Sequence, residues 1–87
     1  MDNEYLLYKN INELDLHGKN RYESKVLIEE FILENVKMKK RYVYIIYGKG
    51  EGILKQATFD LLKHNKYVLF YKQDINNDGR AIVELKR

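Results

Sequence analysis

Residues Tyr42 to Tyr47 read YVYIIY, and this run narrows the fold further than any other stretch of the chain. An unbroken series of aromatic and β-branched side chains has high strand propensity and no polar face, which predicts a central strand buried on both faces. Gly48 ends it, and the glycine-rich GKGEG turn then opens a helix over about Ile53 to His64, stopped at Asn65. Leu54, Ala57, Thr58, Leu61 and Leu62 share one face of that helix. A buried central strand needs partners on both sides, and the sequence supplies them. From Ile11 to Leu16, Leu14 and Leu16 alternate with Glu13 and Asp15, the period of a short strand with one buried face. Asn20 and Glu23 then form a cap pair for a helix running to about Met38, with an apolar stripe of Val26, Leu27, Ile28, Phe31, Ile32 and Val36.

Downstream, Tyr67 to Gln73 reads as a third strand and Ala81 to Leu85 as a fourth, joined through the turn-rich segment DINNDGR. The order βαβαββ predicts an α/β (α+β) fold, a two-layer sandwich with a four-stranded mixed sheet. The first ten residues, with Tyr5, Leu6, Leu7 and Tyr8, are expected to add a strand or helical turn over a sheet edge. Residues 1–12 are therefore read as a leader and 13–87 as the domain. A chain of 87 residues is one small domain burying roughly 60% of its unfolded surface.

The absence of cysteine removes disulfides and thiolate metal sites, which suits a cytosolic setting. No apolar stretch approaches the roughly 20 residues of a spanning helix, and the polar start MDNEYLLYKN lacks the apolar core of a signal peptide. The expectation is a soluble, cytoplasmic protein without a membrane partner. A net charge of +3, from 16 basic and 13 acidic residues, permits an anionic partner without demanding one. The densest cluster, Lys37, Lys39, Lys40 and Arg41, reads either as a phosphate-contacting patch or as the cationic end of a helix.

Two short motifs carry chemistry. Residues 14 to 18, LDLHG, place a carboxylate, an imidazole and a glycine where a strand becomes a loop. A right-handed crossover makes this strand parallel to YVYIIY, so both following loops reach the same carboxyl edge, where α/β sheets bind ligands. His17 can give or take a proton near neutral pH, and Asp15 could orient it. In the second motif, Gly48, Gly50 and Gly52 allow a ligand close to the backbone, and the helix that follows offers free N–H groups. Lys49 adds charge, and the combination favours a phosphate, whether of a phosphodiester or a nucleotide. The alternative is a strand-to-helix turn that needs glycine only for its backbone angles. The loop is neither a Walker loop nor a dinucleotide fingerprint, because it has no GK[ST] ending and no GxGxxG order.

His64 reads as a cation at a helix C-terminus. Asp74, Asn76, Asp78 and Gly79 match half of a calcium loop, but Leu85 stands where its glutamate belongs, so a hairpin turn is favoured. Most of the eight tyrosines lie in strand runs; Tyr47, beside the glycine loop, is the candidate for base stacking. No residue set has the spacing of a metal centre. No cofactor is evident, and a divalent cation such as Mg²⁺ or Mn²⁺ remains compatible with the chemistry.

LDLHG, a capped amphipathic helix, an aromatic strand, GKGEGILK and the final strand AIVELKR together resemble the small MutS-related, or Smr, domain over about residues 13 to 87. The resemblance implies a βαβαββ sandwich like the C-terminal domain of translation initiation factor three. It further implies binding to RNA or DNA, often with endonuclease (nuclease, hydrolase) activity, in a standalone protein or the tail of a MutS-like ATPase. Met1 and the leader favour a native short protein. By position, the family's catalytic residues fall on Asp15 and His17 and its GxG loop on Gly48, Lys49 and Gly50; Gly18, Tyr47, Gly52 and Lys55 complete the expected nucleic-acid contacts. Two positions depart from the pattern: Tyr47 stands where His or Thr is common, and Ala81 where Thr is usual. The competing expectation is a noncatalytic module that binds nucleic acid or ribosomes.

Overall fold

In the computed structural model, which describes residues 11–50 and 52–86, the YVYIIY run forms β2 (Tyr42–Ile46) at an interior position of a four-stranded sheet. Its neighbours are β1 (Asn12–Asp15), parallel to it, and β4 (Asn77–Leu85), antiparallel to it; β3 (Val68–Asp74) pairs antiparallel with β4 at the far edge. Helices α1 (Arg21–Lys37) and α2 (Ile53–His64) complete the βαβαββ order and the mixed sheet that the sequence predicts. The element expected within the first ten residues lies outside the described residues.

Both helices cover the same face of the sheet. Leu16, Val43, Ile45, Val83 and Leu85 point from that face into a core completed by Ile28 and Ile32 of α1 and Leu62 of α2. Each such side chain contributes about 2–5 kcal/mol against truncation to alanine, a large share of the roughly 5–15 kcal/mol that holds a domain folded. β2 is buried on one face only, which corrects the two-faced expectation. Tyr42, Tyr44 and Ile46 alternate with the core residues and lie half-buried on the side away from the helices. Long cations help cover them: the Arg80 guanidinium stacks 3.8 Å from the Tyr44 ring centre and Arg41 lies 5.2 Å from that of Tyr42. Cation–π contact and aliphatic stems let aromatic residues occupy an open sheet face without a second helical layer.

α1 begins as the sequence indicates. The Asn20 side chain accepts from the Glu23 N–H at 2.8 Å and the Glu23 carboxylate accepts from the Asn20 N–H at 3.0 Å, a reciprocal capping box. Its buried stripe is shifted from the expected one. Ser24 and Asn35 are buried beside Ile28 and Ile32, whereas Val26 is exposed. Asn35 is tolerated in the interior because both ends of its amide are used: it donates to the Phe31 carbonyl and accepts from the Asn12 amide, each at 2.8 Å. This pair ties α1 to β1, an edge strand of only 4 residues.

β4 begins at Asn77, four residues before the expected Ala81, and a two-residue turn at Ile75 and Asn76 replaces the long DINNDGR connection. The register runs Gln73 to Ala81 but then Asp74 to Asn77, so residues 78–80 form a bulge in β4. Asp74 stabilises it by accepting from the Asn76 N–H at 3.0 Å and from Arg80 Nε at 2.6 Å. The hairpin reading of this acidic segment therefore holds.

Replacing Asn35 with alanine is expected to lower stability by about 1–2 kcal/mol. Urea unfolding checks this as a lower midpoint with an unchanged slope; an unaltered midpoint would mean that the Asn12 pairing carries no weight.

Candidate nucleic-acid interface

The parallel register pairs Asp15 with Ile46, and one further rung, Leu16 N–H to Ile46 carbonyl at 2.9 Å, closes the ladder before both strands leave the sheet. Immediately beyond it, Asp15, His17, Gly18, Tyr47, Gly48, Lys49 and Gly50 line one open cleft of about 420 Å³, with Ile46 and Leu54 as its apolar walls. Gly52 and Lys55 line a neighbouring depression with Phe59, where the Lys55 ammonium lies 5.8 Å from the Phe59 ring centre. The cationic cluster at Lys37 to Arg41 lies at the start of β2, about 17 Å along the strand from the cleft. Arg41 there lies past the end of α1 and pairs with Glu84 of β4 at 3.1 Å.

His17 is exposed, and its imidazole has no hydrogen-bond partner among the described residues. Asp15 does not hold the ring. Its Oδ1 accepts from the His17 backbone N–H at 2.9 Å, an Asx-type turn that aims the chain out of the strand. Gly18 follows with φ of 75°, and Lys19 N–H returns to the Leu16 carbonyl at 3.0 Å. Asp15 thus places His17 through the main chain.

The glycine loop is held from β4. The Gly79 carbonyl accepts from both Tyr47 N–H, at 3.0 Å, and Gly48 N–H, at 2.9 Å. Gly48 turns away with φ of 86°, a left-handed conformation that costs a side-chain-bearing residue about 1–2 kcal/mol. Gly52 starts α2 without a side-chain cap, and no acidic residue lies in the first turn. The contrast with α1 is direct: its own side chains seal one helix start, while among the described residues no side chain caps the other, whose N–H groups and partial positive charge suit an anion. Lys49 Nζ rests 3.3 Å from Asp78 Oδ1, with both side chains well exposed. Such pairs are worth about 0–1 kcal/mol, so an incoming phosphate can displace the carboxylate. Asp78 and Gly79 are the contributors that sequence reasoning missed; both sat within DINNDGR, read there as turn chemistry alone. Among the described residues, no three His, Asp or Glu side chains gather as a metal-binding group, and no helix is long and apolar enough to cross a membrane.

A model of the Smr domain matches residues 14–86. The chain belongs to the Smr domain family. Its relatives include Endonuclease MutS2 of Alkaliphilus metalliredigens, 33% identical over 78 residues, and Endonuclease MutS2 of Staphylococcus saprophyticus, 34% identical over 77. These matches cover 86% and 85% of this chain but only 10% of each relative. Among solved structures, the Smr domain of Thermus thermophilus MutS2 superimposes with a TM-score of 0.86 at 24% identity, over 88% of this chain and all 100% of that one. YdaL, a stand-alone small MutS-related protein from Escherichia coli, gives 0.82 at 23%, over 86% of this chain and 64% of that one.

Within this Smr fold, Tyr47 is 6% exposed, and its ring meets Phe59 edge to face, with centres 5.9 Å apart at 87°. The ring is therefore closed to a stacking base, contrary to the sequence expectation. Its hydroxyl is buried with no partner among the described residues. Burial, reinforced by the negative charges of Asp78 and Asp74, raises its pKa above the ordinary 10.0. The Asp74 carboxyl moves the other way, lowered chiefly by the Asn76 N–H and, against its desolvation, by Arg80.

Tyr47→Phe is expected to stabilise the domain by about 1 kcal/mol at neutral pH, because it removes a buried, unpaired hydroxyl. A raised phenol pKa contributes stability that is complete below the unfolded value of 10.0 and lost as pH climbs through the folded value. Urea midpoints on both sides of that value should converge for the two proteins' alkaline losses only if this phenol plays no part; a less stable Phe variant at neutral pH would reveal a partner for the hydroxyl.

Proposed function

We propose that this Smr domain binds RNA or DNA through the cleft and cleaves a phosphodiester there. The observation that carries the reading is the convergence of His17 with the glycine loop in one cleft, because a proton-transfer group and an anion cradle are the two parts such cleavage needs. Loop and helix N–H groups, with Lys49 released from Asp78, would hold the phosphate oxygens. RNA asks least of these residues. Its 2′-hydroxyl is an internal nucleophile: His17 accepts the 2′-hydroxyl proton as that oxygen bonds to phosphorus, the bond from phosphorus to the 5′-oxygen breaks, and the departing oxygen takes a proton from water. Asp15 serves as a positioning residue, since its contact is to the His17 main chain.

That the MutS2 relatives are endonucleases supports this reading at the level of the family. A second reading, binding without cleavage, draws on the commitment of the Tyr47 ring to Phe59 and on the absence of an orienting partner for the His17 ring among the described residues.

Incubating single-stranded RNA and supercoiled DNA with wild type and with His17→Ala separates the two. Cleavage that disappears in a folded variant supports the proposed mechanism, and cleavage at an unchanged rate sinks it. Intact substrate alongside salt-sensitive binding leaves the noncatalytic reading.

Affinity offers a separate test of the cradle. Lys49→Ala should weaken binding at low salt, whereas Asp78→Asn should strengthen it a few-fold by freeing the lysine and removing a repulsive charge. Fluorescence anisotropy titrations read both; equal affinities for all three proteins would place the phosphate elsewhere.

A further inference from the structure

Beside the cleft, α1 and α2 enclose a second and wider concavity of about 540 Å³, which none of the chemistry above employs. Arg21, Tyr22 and Lys25 form the α1 wall, and Ile53, Gln56 and Asp60 are on the α2 side. Tyr22 is 79% exposed, and neither its ring nor its hydroxyl has a partner among the described residues. Arg21 and Lys25 are four residues apart, hence on one helix face, and neither makes an ion pair among the described residues.

The groove and the cleft are lined by adjacent residues of the chain. Leu54 lines the cleft while the adjacent Ile53 lines the groove, and Arg21 enters the groove four residues after His17 leaves the cleft. A strand whose phosphate sits on the glycine loop therefore has a neighbouring trough with two free cations, an open aromatic face and an amide.

We infer that this groove takes an unpaired nucleotide next to the phosphodiester in the cleft, with its base stacked on Tyr22 and its phosphate facing Arg21 and Lys25. The inference rests on the cleft reading and adds the substrate class, a strand that is unpaired at the site. The chemistry of the lining matches each part of a nucleotide. An aromatic face accepts any base, Gln56 can both donate and accept at a base edge, and Asp60 accepts from an exocyclic amine while repelling phosphate, which keeps the backbone on the α1 side. A duplex buries its base faces in its own stack. It can present phosphates to the cleft but no face to Tyr22.

Anisotropy titrations of a fluorescein-labelled single-stranded RNA, and of the same RNA annealed to its complement, test this. Tyr22→Ala should weaken single-strand binding about tenfold and leave duplex binding unchanged, while Tyr22→Phe retains wild-type affinity for both. Replacing Arg21 and Lys25 together with glutamine should lower the single-strand salt slope by about 0.7, the share of one phosphate. Circular dichroism confirms that these surface variants fold. If Tyr22→Ala binds the single strand as wild type does while Lys49→Ala loses it, the groove assignment fails and the cleft reading stands. Equal weakening toward strand and duplex also overturns it, since stacking would then not be the cause. If wild type binds neither RNA, nor single-stranded DNA of the same sequence, the cleft reading and the groove fail together.

Discussion

The last rung between β1 and β2, from Leu16 N–H to the Ile46 carbonyl, is the contact on which the site depends. A parallel pair places the ends of two distant segments side by side, and this rung sets where they diverge. A slip of one residue would exchange Leu14 and Leu16 with Glu13 and Asp15 between the core and open faces. That exchange would remove Leu16 from the core and send His17 away from the glycine loop. Hydrophobic burial and site geometry are therefore enforced by the same register.

That register aligns the two loops, and the bulge in β4 fixes the second one. With Tyr47 opposite Gly79 by continuation of the β2–β4 pairing, the Gly79 carbonyl meets two successive N–H groups and turns the chain at Gly48. The bulge also brings Asp78 to Lys49 and leaves little room around Gly79. A Cβ there would stand 3.2 Å from the Lys49 side chain and 3.5 Å from the Gly48 backbone. Strand β4 thus acts on the cleft without lining it.

Much of the domain was legible because its signals are local. The Asn20–Glu23 cap, the glycine end of β2 and the helix from Ile53 to His64 each follow from residues adjacent in sequence, and the structure has them where expected. The misreadings involve partners that residue type and periodicity do not identify, some distant in sequence and some close. A run without polar residues cannot reveal that Tyr44 will lie under Arg80, so YVYIIY looked buried on both faces. Asn35 had no place in the expected stripe of α1, and Asn12, which satisfies its buried amide, is 23 positions away. DINNDGR looked like a loose turn because its order comes from the Asp74–Arg80 pair and a register shift. At the site, sequence supplied the two motifs and their common edge, but not the carboxylate that binds main chain instead of imidazole.

The departures at Tyr47 and Ala81 make sense as one packing change. Ile45 pairs with Ala81, so Tyr47 lies diagonal to Ala81 on the helix-covered face and opposite Gly79, which has no side chain. The Tyr47 ring packs against Phe59, and Phe59 in turn meets Tyr71 of β3 with ring centres 5.5 Å apart. Ala81 is fully buried, so a larger side chain there would overpack the core, and a smaller one at 47 would leave a void beside Phe59. Aromatic packing there replaces hydrogen-bonding side chains. The consequence reaches the chemistry: with Tyr47 committed to the core, the polar groups left in the cleft are backbone N–H groups, Lys49 and His17, a set whose chemistry suits the proposed phosphodiester.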